Sequence, residues 1–168
     1  SKGDTIQLPD AILAGPDNTN LTCTTALNLN IIGSAITFPS SSKIDCQQGA
    51  GIRAFSIKNS CVSFFQDISF VNCSNVDVFS DPQYLGGAVL VQNSVISFNR
   101  AYFLGNNATV GGALSIQNST ATILNSEFIY NSASNRGGAI DILQSNCNVT
   151  NSVFLNNNAY SLSAGEVN

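Results

Sequence analysis

Gly111-Gly112-Ala113-Leu114-Ser115-Ile116-Gln117-Asn118-Ser119, followed by Phe128-Ile129-Tyr130-Asn131, is one copy of a pattern written three times in 168 residues. The copy before it runs from Gly86-Gly87-Ala88-Val89 to Phe103-Leu104-Gly105-Asn106, and the copy after it from Gly137-Gly138-Ala139-Ile140 to Phe154-Leu155-Asn156-Asn157. First glycine and phenylalanine are 17 residues apart in every copy, whereas the copies themselves lie 25 and then 26 residues apart. A constant inner distance beside a variable outer one describes a rigid unit joined by adjustable turns. A period near 25 belongs to stacked-repeat architectures.

Within each copy apolar and polar residues alternate, the period of a strand with one buried face. Val89 and Val91, Leu114 and Ile116, Ile140 and Ile142 share one side, with Leu90, Ser115 and Asp141 between them. Turns follow at Gln92-Asn93-Ser94, Gln117-Asn118-Ser119 and Gln144-Ser145-Asn146. A second strand carries Phe98, Ile123 or Val149, a third carries the motif phenylalanine, and a polar Asn/Ala/Ser turn leads back to Gly-Gly. Three short strands and three turns in about 25 residues make one coil of a parallel β-helix. The expected architecture is all-β: a right-handed parallel β-helix (solenoid) of about six to seven coils.

Each motif residue has a physical task in such a coil. The glycine pair makes a sharp corner where φ is positive or a neighbouring coil leaves no room for a Cβ. The phenylalanines stack at the strand separation of about 4.8 Å as a ladder in the core. Asn106, Asn131 and Asn157 form a second ladder, each bonding the bend it sits on and the amide above.

The chain reads as one domain, 1–168. Residues 1–50 form start coils, 51–85 an irregular coil with a long loop, 86–164 the three regular repeats, and 165–168 the start of a further repeat. Strands are expected at Thr5-Ile6-Gln7-Leu8, over 27–33, at Lys43-Ile44-Asp45-Cys46, at Ala54-Phe55-Ser56-Ile57 and at Val62-Ser63-Phe64. Ile68-Ser69-Phe70-Val71-Asn72-Cys73 matches the phenylalanine strand, with Cys73 in the asparagine place. Residues 9–14 suggest a single helical turn. The polar segment 74–85, holding Asp77, Asp81 and Pro82, suggests a loop.

Hydrophobic residues make up 43% of the chain and charged residues only 10%, while Asn and Ser number 22 each. A surface made polar by amides and hydroxyls suits an extracellular protein. A net charge of −4 without a basic cluster argues against nucleic acid or an anionic membrane as partner. No run of 18 apolar residues spans a bilayer as a helix. The chain contains no Met, so Ser1 is read as following a removed leader.

Five cysteines and no histidine, without Cys-x-x-Cys, make a zinc site a poor reading and disulfides a good one. Cys23, Cys46 and Cys73 are 23 and 27 apart, near one turn of the repeat. That spacing favours Cys23–Cys46 across adjacent coils and leaves Cys61–Cys73 as the second pair. Cys147 aligns with Ala121 and Ile96 and reads as a small buried hydrophobe. Disulfides place the chain in an oxidising compartment, secreted or at the cell surface.

A Gly-Gly-Ala-aliphatic strand followed by Phe-x-x-Asn resembles the repeat of the chlamydial polymorphic membrane proteins. Similar repeats occur in large secreted or surface proteins of many microbial eukaryotes. The resemblance covers 86–157 strongly and 51–85 weakly. It implies a right-handed parallel β-helix displayed outside the cell in adhesion or surface-layer roles. It also implies structural use of Gly86, Gly111, Gly137, Phe103, Phe128, Phe154, Asn106, Asn131 and Asn157. The motif carries no catalytic residue, and the membrane barrel of the bacterial family has no counterpart in these residues, so bacterial and eukaryotic sources both stay open.

Enzymatic parallel β-helices that cleave pectin need clustered carboxylates with basic partners on one outer face. Here Asp45, Asp67, Asp77, Asp81 and Asp141 fall at different repeat positions, Glu127 stands alone, and Arg53, Arg100 and Arg136 are scattered. Arg136 and Asp141 lie near one corner and read as a surface pair. Asp77 and Asp81 are too few ligands for calcium by themselves. Sequons occur at Asn20, Asn72, Asn107, Asn118 and Asn148, read as N-linked glycan sites in a eukaryotic source. Tyr84, Tyr102, Tyr130 and Tyr160 read as exposed rings on which a glycan could stack. The expectation is a non-enzymatic, cofactor-free structural or adhesive surface protein. Its partners would be further copies in a head-to-tail fibre, or other surface proteins and glycans. The alternative is a fragment of a polysaccharide-active enzyme.

Overall fold

The computed structural model describes residues 4–8, 12–14, 21–24, 28–34, 39–49, 51–76 and 85–160. Among them are nineteen β-strands and no helix, and every strand pairing is parallel. The strands form three sheets. The first contains β1 (Asp4–Gln7), β2 (Ile12–Ala14), β4 (Asn28–Ile32), β5 (Lys43–Asp45), β7 (Val62–Val71), β10 (Val95–Leu104), β13 (Thr120–Leu124), β14 (Glu127–Ile129), β17 (Asn146–Thr150) and β18 (Val153–Leu155). The second runs β3 (Leu21–Cys23), β6 (Phe55–Lys58), β9 (Val89–Gln92), β12 (Leu114–Gln117) and β16 (Ile140–Leu143). The third is β8 (Ser74–Asn75), β11 (Asn107–Val110), β15 (Ser132–Arg136) and β19 (Asn158–Ala159). From Val89 onward each repeat visits the second, first and third sheets in that order.

The register is that of the sequence repeat. Val89, Leu114 and Ile140 are partners, as are Phe98, Ile123 and Val149. Phe70, Phe103, Phe128 and Phe154 form one column, with ring centroids 5.0, 4.6 and 4.8 Å apart and planes within 16° of parallel. Phe65 and Phe98 make a shorter column beside it, 5.3 Å apart, and Phe98 meets Phe103 edge-on at 5.2 Å. The rings are stacked along the column, where strand register sets their spacing, and edge-to-face across it, an arrangement their quadrupoles favour. All are buried except Phe154, which has Phe128 on one face and is 47% exposed.

Four readings of local structure need correction. The polar segment after the motif phenylalanine is not a turn; it is the third sheet. Its inward side chains include Val110 beside Ala108 and Ala133, and the two alanines are too small to announce a buried face. The strands carrying Phe98 and Phe103 are one strand, β10, bent at Arg100. Ile12–Ala14 is strand β2, paired with β5, rather than the end of a helical turn; residues 9–11 lie outside the described set. Likewise Ser74–Asn75 is strand β8, whereas 77–84, with Asp77, Asp81 and Tyr84, are outside it.

The change from a 25- to a 26-residue spacing is also located. Ala108 pairs with Ala133, but Val110 pairs with Arg136, so β15 contains one residue more than β11. That is a β-bulge. In the same sheet Asn75 pairs with Ala108 and Leu85 with Val110, so ten positions there match two in the next repeat.

Candidate functional site

Each regular repeat turns through four left-handed positions, and these stack into columns. Gly86, Gly111 and Gly137 form the first, at φ 65–67°. The second is Ser60, Asn93, Asn118 and Gln144; the third Asp67, Arg100, Asn125 and Asn151; the fourth Asn72, Gly105, Tyr130 and Asn156, all between 48° and 68°. Asn, the non-glycine residue best suited to this conformation, fills half of the last three columns. At the first corner the following glycine is needed for a different reason. A Cβ on Gly112 would strike the Gly138 carbonyl oxygen and the backbone of Ser132.

A polar side chain follows most of these corners and ties one repeat to the next. Asn131 Oδ1 accepts from the backbone N–H (3.0 Å) and Nδ2 (2.9 Å) of Asn106, while its own Nδ2 donates to Phe103 O and Asn157 Oδ1. At the second corner Ser94 N–H donates to Ser119 Oγ and Ser119 N–H to Ser145 Oγ, and each serine hydroxyl donates to the carbonyl two residues earlier. Ser126 and Ser152 repeat this at the third corner. Buried corner amides are thereby satisfied without water.

Two ladders meet cysteines in the repeat at 51–76. Cys61 stands at the serine position and Cys73 at the asparagine position, where its N–H donates to Asn106 Oδ1 at 3.0 Å. The disulfides are Cys23–Cys61 and Cys46–Cys73, which overturns the expected Cys23–Cys46 and Cys61–Cys73 pairs. Cys23 ends β3 in the second sheet and Cys46 follows β5 in the first, so one turn of sequence does not bring them together. Two disulfides are compatible with an extracellular or secreted protein. Cys147 is free and half-buried beside Ala121, and burial pushes its thiol up, away from the reactive thiolate.

The charged residues are less scattered than their positions suggest. Arg100 clamps Asp67 through two 2.6 Å bonds between facing left-handed residues of β7 and β10; Asp67 is 4% and Arg100 45% exposed. Burial alone would raise the Asp67 carboxyl, but hydrogen bonds from Arg100 and Gln66 and the Arg100 charge hold it below the usual range. Arg136 bonds Asp141 at 2.7 Å, as expected, though Asp141 is buried rather than solvated. Asp45 accepts from Gln47 N–H and Asn72 Nδ2. No group of three potential metal ligands occurs among the described residues. The Asp67–Arg100 pair was hidden because the two are 33 residues apart, a repeat lengthened by the 77–84 segment.

Asn118 and Asn148 are exposed, whereas Asn72 and Asn107 are partly buried, with their amides engaged by Asp45 and Ser132; Asn20 is outside the described residues. Tyr130 and Tyr160 are exposed. Tyr102 is half-buried, and burial followed by the neighbouring Glu127 and Tyr130 raises its hydroxyl pKa.

Two surfaces stand out. Ile142, Val149 and Phe154 are 40–48% exposed, although their partners Ile116, Ile123 and Phe128 are fully buried. With Gly138 and Ala139 they line a concavity of about 470 Å³ at the edge strands β16–β18. Along the second corner runs a groove of about 740 Å³, crossing four repeats from Ser60 to Asn146.

No family model matches the chain, and no curated protein or solved structure is significantly similar to it.

Proposed function

We propose that the chain is a right-handed parallel β-helix of about six to seven coils that acts outside the cell as a non-enzymatic structural or adhesive surface protein. In this reading it is a subunit, glycosylated outside the second corner, that stacks head to tail into a fibre. The motif's likeness to the repeats of chlamydial polymorphic membrane proteins supports the surface role. The observation that carries the fibre reading is the open rung of Ile142, Val149 and Phe154, bounded by the edge strands β16, β17 and β18. Parallel edges with exposed apolar rungs are templates for another set of strands. A second copy adding β1 and β2 there would extend the first sheet and cover Val149 and Phe154 with Ile6 and Leu13, which occupy the same columns.

Light scattering over a hundredfold concentration range tests this. The expected result is a series of multiples reduced to monomer by Phe154→Asp, with an axial subunit repeat of about 30 Å at six to seven coils of about 4.8 Å in electron micrographs. A strictly monomeric chain at every concentration would overturn the fibre reading.

A further inference from the structure

We propose that the second corner is a binding groove for an extended, uncharged oligosaccharide. This deepens the adhesive half of the proposed function. It is tested on monomeric protein, so it fails independently of the fibre. One bank is the left-handed row Asn93, Asn118 and Gln144, with their side chains exposed; the other is formed by Val62 and Val95, 45% and 46% exposed, continued by Thr120. The floor is Ser94 and Ser119, whose hydroxyls donate to Gln92 O and Gln117 O, and Ser119 Oγ also accepts from Ser94 N–H. The floor hydroxyls are therefore fixed with their protons committed to the backbone, and recognition falls mainly to the banks.

The chemistry of the banks selects the occupant. No residue lining the groove is charged, in a chain of net charge −4, so an acidic glycan or a nucleic acid finds no counter-charge. An added peptide strand would need free backbone groups. The corner amides of Asn93 and Asn118 donate instead to Gln117 O and Leu143 O of the next repeat. Carboxamides offer a donor and an acceptor side by side, matching vicinal hydroxyls, and the valines offer apolar surface to the C–H face of a sugar ring. The rungs recur about every 4.8 Å, close to the advance of one sugar in an extended, equatorially linked chain. Four rungs would therefore engage three to four sugars.

The test uses protein made without glycan at Asn118 and titrated with neutral β-linked hexasaccharides of glucose, xylose and N-acetylglucosamine. Side-chain amide and methyl NMR signals are followed. At least one oligomer is expected to give saturable shifts at Asn93, Asn118, Gln144, Val62 and Val95. Val95→Asp, at a half-exposed position, should weaken binding about tenfold or more by placing a carboxylate against the ring face. Unchanged backbone signals of Asn106 and Asn131 in that variant would certify its fold, and Val62→Asp provides a second variant. Tyr130→Ala should bind as the parent does. The idea is overturned by absence of saturable shifts with all three oligomers, by equal binding of a galacturonate hexamer, by shifts centred on Tyr102 and Tyr130, or by full affinity in both folded valine variants.

Discussion

Replacing Phe128 by Ala removes the centre of the aromatic column. Its ring is fully buried, with Phe103 4.6 Å away on one face and Phe154 4.8 Å away on the other. The transfer and cavity terms for a buried phenylalanine come to about 3–5 kcal/mol. Two near-parallel ring contacts place this site at the upper end of that range. Phe154→Ala, by contrast, removes a ring that is 47% exposed and has one stacking partner, so it should cost about half as much. Urea unfolding of both variants measures the difference. With an m-value of about 2 kcal/mol per M, a 4 kcal/mol loss moves the midpoint by about 2 M. Repeat arrays can lose cooperativity, so amide hydrogen exchange of β12–β15 should accompany the midpoint. If Phe128→Ala proves no more destabilising than Phe154→Ala, the column does not carry the core and the reasoning fails.

Gly112→Ala should be among the most damaging single substitutions, because its Cβ meets backbone on two sides. Gly105→Asn should change stability by no more than about 0.5 kcal/mol, because Asn72 and Asn156 already occupy equivalent left-handed positions; paired thermal melts compare them. Reducing the disulfides should remove at most about 3.5–4 kcal/mol each, from loops of 27 and 38 residues, and hydrogen exchange should quicken first in β3, β5 and β6. Asp67→Asn tests the linkage between charge and stability. The folded carboxyl is depressed, so its contribution is complete above the unfolded value near 3.8 and is lost as pH falls through the folded one. The variant should lack that part of the acid limb, on the order of 1 kcal/mol given the exposure of Arg100, and an unchanged acid limb would exclude the linkage.

The sequence made the first two sheets legible because their inward residues are large. Val89, Leu114, Phe98 and Phe128 announce a buried face by alternation, and the fixed glycine-to-phenylalanine distance sets the register. The third sheet escaped because alanine at 108 and 133 carries no such signal, Val110 stands as a lone large residue, and its amides resemble those of a turn. The disulfides escaped for a topological reason: spacing along the chain measures a repeat, but does not say which sheet a cysteine ends on. At the groove, a signal was present in Val62 and Val95, apolar residues following an Asn-Ser corner on the outward side, where alternation calls for a polar residue.

From Val89 onward the repeats differ in length only in the third sheet, by a single added residue in β15, whereas earlier the pairing spans more positions both between Asn75 and Leu85 and, in the first sheet, between Ile32 and Lys43. In those regular repeats the other two sheets keep a constant spacing beside aromatic columns and corner ladders, and an extra residue there would shift every rung beyond it. The third wall can thus absorb foreign segments, which makes it the natural place for diversification between related chains. It is also a practical graft position for an epitope or a reporter peptide on an otherwise unaltered scaffold.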